Sequence, residues 1–192
     1  MCWGDGTYGQ NGIGSYSTDG SEFDQKRPKE VLLSWDVNAI MVSTGKDFAC
    51  ALIDDGAVRC WGRNNYGQLG MGSTSPSYSG LSQEVQLPVG RFALSIDAVE
   101  EHACAVLDDG SMYCWGKHKY GNMGTGQLLT STNSYISTPI PVELPPGNRV
   151  SLMAVGNEHS CAVMTDDSLW CWGGNYYGEV GNGNIATQSS EH

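Results

Sequence analysis

Cys60-Trp61-Gly62-Arg63-Asn64-Asn65-Tyr66-Gly67-Gln68-Leu69-Gly70-Met71-Gly72 opens on a Cys-Trp-Gly tripeptide that recurs at Cys2-Trp3-Gly4, Cys114-Trp115-Gly116 and Cys171-Trp172-Gly173. The four tryptophans stand 58, 54 and 57 residues apart, so one unit has been copied with small changes in loop length. Repeats of this period describe stacked modules. Behind each tripeptide runs a shared Tyr-Gly-x-x-Gly-x-Gly frame, at Tyr8 to Gly14, Tyr66 to Gly72, Tyr120 to Gly126 and Tyr177 to Gly183.

Ahead of three of the tripeptides stands a hairpin signature: Ala49 to Cys60 through Asp54-Asp55-Gly56, Ala103 to Cys114 through Asp108-Asp109-Gly110, and Ser160 to Cys171 through Asp166-Asp167-Ser168. A three-residue turn with glycine in the left-handed position closes Ile53 against Ala57. Counting back pairs Leu52 with Val58 and Cys50 with Cys60, at a non-hydrogen-bonded site where cross-strand side chains approach closely. The same count joins Cys104 to Cys114 and Cys161 to Cys171, and leaves Cys2 unpaired. In the third copy Ser168 is expected to take the place of the turn glycine, which forces a residue with a Cβ into a costly backbone region or alters the loop. Reduced, buried thiols are the alternative reading of these cysteines. Zinc fits less well, because ten-residue offsets supply no Cys-x-x-Cys knuckle and no histidine recurs in ligand register. Disulfides imply an oxidising compartment.

Each complete unit carries four short strand signals and none of helical period. In the second unit these are Glu84 to Leu87, Phe92 to Val99, His102 to Leu107 and Ser111 to Lys117, with counterparts of the first strand at Glu30 to Leu33 and Pro141 to Leu144. The fold class expected is all-β: a partial propeller of four-stranded antiparallel blades, three complete repeats with partial repeats at both ends. Its divisions are 1–27 (the end of a truncated blade plus a loop), 28–83, 84–138 and 139–192, all within one propeller domain. Variation is concentrated in 15–27, 73–83 and 127–138, rich in Ser, Thr, Gly and Tyr.

Trp61 to Gly72 matches almost position for position the hallmark Trp-Gly-x-Asn-x-x-Gly-Gln-Leu-Gly-x-Gly, and the chain thereby resembles the regulator of chromosome condensation repeat family. Glu101 to Gly110 and Gly156 to Cys161 resemble the stretch that precedes the hallmark in that family. The resemblance spans essentially the whole chain and implies a β-propeller, usually of about seven blades. Propellers with paired cysteines in this hairpin resemble secreted or surface members rather than the nuclear exchange factor. About 390 residues would complete such a ring at about 56 per blade, against the 192 present. An arc of a longer polypeptide, or one completed by another chain, is therefore expected.

Ten basic against twenty-one acidic residues give a net charge of −11, which repels phosphate backbones and anionic bilayers. Neither nucleic-acid binding nor membrane insertion is expected, and no apolar run reaches the length of a membrane helix. No cofactor, metal or catalytic site is expected: nucleophile elbow, phosphate loop and zinc-helix motifs are all missing. The glycine frame differs from a dinucleotide fingerprint in recurring four times with no helix after it. His102 and His159 share a position with Phe48, so packing accounts for them. Trp3, Trp61, Trp115 and Trp172 are expected between blades, while Trp35 and Trp170 fall outside that register and are candidates for exposed recognition, with core filling as the alternative. The aspartate pairs are turn residues, too close together to surround calcium.

Asp47, Glu101 and Glu158 occupy one repeat position and are expected to form an acidic arc able to attract a basic partner. The function expected is a non-enzymatic binding or scaffold module, extracellular or on a cell or particle surface, that presents 15–27, 73–83 and 127–138 to a protein partner. The alternatives are a structural building block that assembles with further copies of the same chain through exposed blade edges, and, less favoured, guanine nucleotide exchange on a small GTPase.

Overall fold

Asp-Asp-Gly turns and alternating short apolar residues nucleate the hairpins on which the architecture is built. A computed structural model describes residues 1–15, 25–33, 36–126 and 134–185, which contain thirteen strands and no helix. The first full blade comprises β3 (Ala39–Thr44), β4 (Phe48–Ile53), β5 (Val58–Arg63) and β6 (Tyr78–Glu84). The second comprises β7 (Ala93–Val99), β8 (His102–Leu107), β9 (Met112–Lys117) and β10 (Tyr135–Pro141). A third sheet holds β11 (Val150–Val155), β12 (His159–Met164) and β13 (Leu169–Gly173), and a two-stranded piece pairs β1 (Cys2–Gly4) with β2 (Gln25–Lys29). Every pairing is antiparallel. The sheets form an open arc of a propeller, with β3, β7 and β11 touching in sequence along its inner side.

The hairpin register follows from the turn. Ile53 N–H donates to the Ala57 carbonyl at 2.8 Å and Gly56 N–H to Ile53 at 2.9 Å, which sets Leu52 against Val58 and Cys50 against Cys60. Gly56 and Gly110 take φ of 85° and 77°. In the third copy that position belongs to Asp167, with φ 66°, and not to Ser168. Met164 N–H closes on the Ser168 carbonyl at 2.8 Å, so Ser168 corresponds to Ala57. Aspartate, like asparagine, tolerates the left-handed region better than most side chains. Asp166 meanwhile accepts the Ser168 N–H at 3.0 Å, as Asp55 accepts that of Ala57 at 2.8 Å.

The strands expected at 30–33, 84–87 and 141–144 are not where the blades begin. Pairing on β5 ends at Glu84, and the next residues stay on the same unit while entering its seam: Val85 N–H donates to Val58, Gln86 to Gly70 and Leu87 to Val85, and Val85 packs in one cluster with Trp115. The fourth strand lies earlier, within the Ser/Gly/Tyr-rich segment, and completes the preceding blade. In β6 it lacks β-branched residues and is held as a strand by pairing to β5 across a bulge between Cys60 and Gly62.

Blades are joined by tryptophan. The indole N–H of Trp61 donates to the Gln10 carbonyl at 2.8 Å, that of Trp115 to Gln68 at 2.9 Å and that of Trp172 to Asn122 at 3.1 Å. Each ring thus locks the glycine frame of the preceding unit, and a glycine of that frame makes room for it. At Gly70, φ 63°, a Cβ would lie 2.8 Å from Val85 and 3.1 Å from Trp115 Nε1. Trp61 and Trp115 are fully buried; Trp3, expected between blades as well, is instead 63% exposed on the two-stranded piece, where it fills no seam. Phe48, Leu52, Val58, Leu69, Val85, Ile96, Leu107 and Trp115 form the core of the first full seam.

Candidate binding surface

The repeat position that follows each first hairpin loop carries the acids. Asp47, Glu101 and Glu158 precede β4, β8 and β12, and their carbonyls accept the N–H of Arg63, Lys117 and Gly174 at 2.8, 2.9 and 2.7 Å. Their carboxylates are not bare. Asp47 meets Arg63 Nη1 at 3.1 Å, Glu101 pairs with Lys117 and Glu158 with Lys119. Each cation also lies over the frame tyrosine: Arg63 5.1 Å from Tyr8, Lys117 4.6 Å from Tyr66, Lys119 4.3 Å from Tyr120.

A tyrosine, a cation and a carboxylate therefore recur along one face. The third set departs from the others in a compensated way. Gly174 stands where Arg63 and Lys117 stand, and Lys119 of the neighbouring unit reaches Glu158 instead. The Glu158 carboxylate, followed by the Tyr120 hydroxyl, holds the Lys119 ammonium above the usual lysine range. Partly exposed pairs of this kind contribute about 0 to 1 kcal/mol each, so the ladder sets local geometry and neutralises the arc more than it stabilises the fold. These cations were missed in the sequence, although Arg63 and Lys117 share the position after Trp-Gly, a repeat spacing that marks them; Lys119 has no such signal.

Inside the arc, Asp97 on β7 ties three blades together. Its Oδ1 accepts the Ser43 hydroxyl at 3.1 Å and its Oδ2 the Val155 N–H at 2.9 Å, and Ser43 Oγ accepts the Ala98 N–H at 2.9 Å. The pattern offered no hint of this role, since Ser43 and Ala154 occupy the equivalent positions.

The cysteine pairs Cys50–Cys60, Cys104–Cys114 and Cys161–Cys171 sit at disulfide distance, with Cα atoms 4.1 Å apart. Cys2 is free, and half-burial pushes its thiol up. Phe48 and His102 are buried at one repeat position, and His159 is half-buried there. The ring of Phe48 leaves no room for a Cβ on Gly45, nor His159 for one on Gly156, which is packing. Burial, reinforced by His118 and then His159, lowers His102 to about 4, and burial lowers His118. Among the described residues no cluster of His, Cys, Asp and Glu could hold a metal ion, and no helix is long and apolar enough to cross a membrane. Trp170 is half exposed and donates to Ser168 Oγ at 3.0 Å; Trp35 lies outside the described residues.

Of the three variable segments, most of 15–27 and more than half of 127–138 lie outside the described residues. In 73–83 the part outside a strand is 73–77, exposed but for the half-buried Thr74, because β6 begins at Tyr78. The base of this loop is clamped by Asn64, which is fully buried. Its Nδ2 donates to the carbonyls of Ser73 at 2.9 Å and Pro76 at 3.0 Å, while Oδ1 accepts the Leu69 N–H at 3.1 Å. Asn175 makes the matching bonds to Asn184 and Val180, and His118 stands at that position in between.

Four-stranded antiparallel blades, seam tryptophans and a glycine frame clamped by asparagine define a repeat propeller. Models of the regulator of chromosome condensation (RCC1) repeat match residues 109–163 and, separately, 42–68, 94–122 and 150–179, and the chain belongs to that family. It is 30% identical over 190 residues to the ultraviolet-B receptor UVR8 of Arabidopsis thaliana, covering 99% of this chain and 40% of the receptor. Among solved structures it resembles human WBSCR16, with TM-score 0.78 and 18% identity over 100% of this chain and 47% of that one. It also resembles Prp20p of Saccharomyces cerevisiae, studied for binding to Gsp1p and histones, with TM-score 0.76 and 22% identity over 96% and 43%. The chain thus spans less than half the length of each.

Proposed function

We propose that the chain is a non-enzymatic binding or scaffold module of a secreted or surface protein that presents its inter-blade segments to a protein partner. The observation that carries this reading is the 73–77 loop, exposed to solvent yet pinned at its base by the buried Asn64 amide. A loop held in one shape loses little conformational freedom on association, which favours binding. The seam indoles are taken up by backbone carbonyls and the three acids of the arc by cations. The three cysteine pairs, if oxidised in the native protein, favour an extracellular or surface setting.

The test replaces 73–77 with Gly and Ser at equal length and compares cross-linked partners with those of the unaltered chain. Loss of a partner with unchanged near-UV circular dichroism supports the reading; an identical set of partners sinks it. Assembly through blade edges is the second reading, favoured by Ile40 and Val42 on β3, which are 65% and 60% exposed. A discrete monomer mass in solution eliminates it. Exchange activity on a GTPase ranks last, because fold likeness does not transmit activity.

A further inference from the structure

Between the two full blades lies a cleft of about 900 Å³. One wall is the first hairpin turn with Asp55, another the crossover from Glu84 through Leu87, and the rim is the turn Pro88-Val89-Gly90-Arg91 leading to Phe92. Arg91 N–H donates to the Pro88 carbonyl at 3.1 Å and Gly90 takes φ 78°, so the turn is closed and holds Val89 outward. Val89 is fully exposed and Phe92 is 47% exposed.

The following seam shows that this apolar character is particular to the cleft. Gly56 packs under Phe92, whose Cβ is 2.4 Å from where a Cβ on that glycine would sit; Gly110 packs under Arg149 in the same way at 2.5 Å. Ala93 N–H and Val150 N–H donate to the carbonyls of those two glycines, which makes Phe92 and Arg149 equivalent. The same scaffold therefore carries an aromatic ring at one seam and a guanidinium at the next.

Charge decides what fits. The one cation of the lining, Arg91, is committed outward to Asp108 at 3.1 Å and Asp109 at 3.0 Å. Asp55 is exposed, and its Oδ1 accepts a neutral N–H, that of Ala57, with no cation paired to it among the described residues. Glu84 shares its carboxylate with Arg59 at 3.2 Å but is 65% exposed. An apolar floor with acids on its rim, on a chain of net charge −11, complements a cation flanked by apolar groups.

We propose that this cleft is a docking groove for an extended peptide segment of a partner protein in which a basic side chain is set among small apolar ones. The proposal rests on the binding-module reading and adds a second contact, away from loop 73–77. The probe is a panel of fluorescent nine-residue peptides with a central Arg among Leu, Val and Pro, against a matched panel with a central Glu, titrated by anisotropy onto the whole chain. At least one basic peptide binds about tenfold tighter than its acidic counterpart, and V89D and the D55N/E84Q double variant each weaken it about tenfold. Val89 is fully exposed, so V89D leaves the fold intact. The Gly/Ser replacement of 73–77 leaves peptide binding unchanged. Failure of every basic peptide to bind by 1 mM, equal binding of the acidic panel, or indifference to V89D overturns the groove. Where loop replacement still removes a cross-linked partner, the module reading survives that failure; where it removes none, both fall.

Discussion

Replacing Asp97 by alanine removes one carboxylate and cuts the inner stitch of three blades. Two bonds go with it, from the Ser43 hydroxyl and the Val155 N–H. Ser43 retains contacts to Ala98, while the half-buried Val155 N–H loses its acceptor. Hydrogen bonds to a charged group contribute about 1.5 to 3 kcal/mol each, and partial exposure places the pair near the lower end, at about 3 kcal/mol together. For a chain of this size that corresponds to about 6 to 12 °C in Tm. Asp97→Asn keeps an oxygen acceptor and is expected to lose about half as much. Urea unfolding of the two variants measures the totals, and hydrogen exchange at Val155 reports the bond itself, with protection falling about 100-fold in Asp97→Ala. A loss below about 0.5 kcal/mol, or unchanged exchange at Val155, refutes the stitch.

Acid is expected to destabilise the second seam. His102 is lowered to about 4 in the fold against about 6.5 unfolded, so between these values the unfolded chain binds the extra proton. Stability is then full above about pH 6.5, falls as pH drops and levels off below 4, by about 3 kcal/mol in all. His102→Phe, copying Phe48, flattens that slope in a pH series of urea melts. Alkylation without reductant in mild alkali modifies Cys2 alone and spares six cysteines, and reduction costs about 2 to 3 kcal/mol per closed loop; complete alkylation returns the chain to a reducing compartment. Trp115→Phe keeps most of the ring but leaves the Gln68 carbonyl without its donor, lowering stability by about 1 to 2 kcal/mol. An unchanged melt would show that the indole bond contributes nothing.

The hairpins were legible because they are local. Asp-Asp-Gly sets a turn, the turn sets the register, and the register brings Cys50 beside Cys60 without help from elsewhere in the chain. The one slip there, Ser168 for Asp167 at the left-handed position, arose because aspartate and serine both suit turns and only closure of Met164 on Ser168 chooses between them. The outer strands were misplaced because pairing, not composition, makes them strands. Tyr78 to Glu84 has a weak pattern of its own and belongs to β5 by hydrogen bonding, so its place at the end of a blade was invisible along the chain.

The site divides in the same way. The shared position of Asp47, Glu101 and Glu158 is a matter of repeat spacing and could be read directly. Their charge state as a surface could not, since it depends on Arg63, Lys117 and the borrowed Lys119 arriving from other strands over other tyrosines. What the sequence by itself determined is the repeat, its turns, the cysteine register and the tryptophan that recurs once per unit, all governed by contacts within about a dozen residues or by copying. Only the tertiary structure decided which strand closes which blade, that Asp97 spans three of them and that Phe92 floors an acid-rimmed cleft. The first depends on pairings such as Arg59 with Glu84 inside a blade, the others on contacts such as Ser43 with Asp97 and Gly56 with Phe92 across a seam, and the chain encodes such non-local meetings only through its packing.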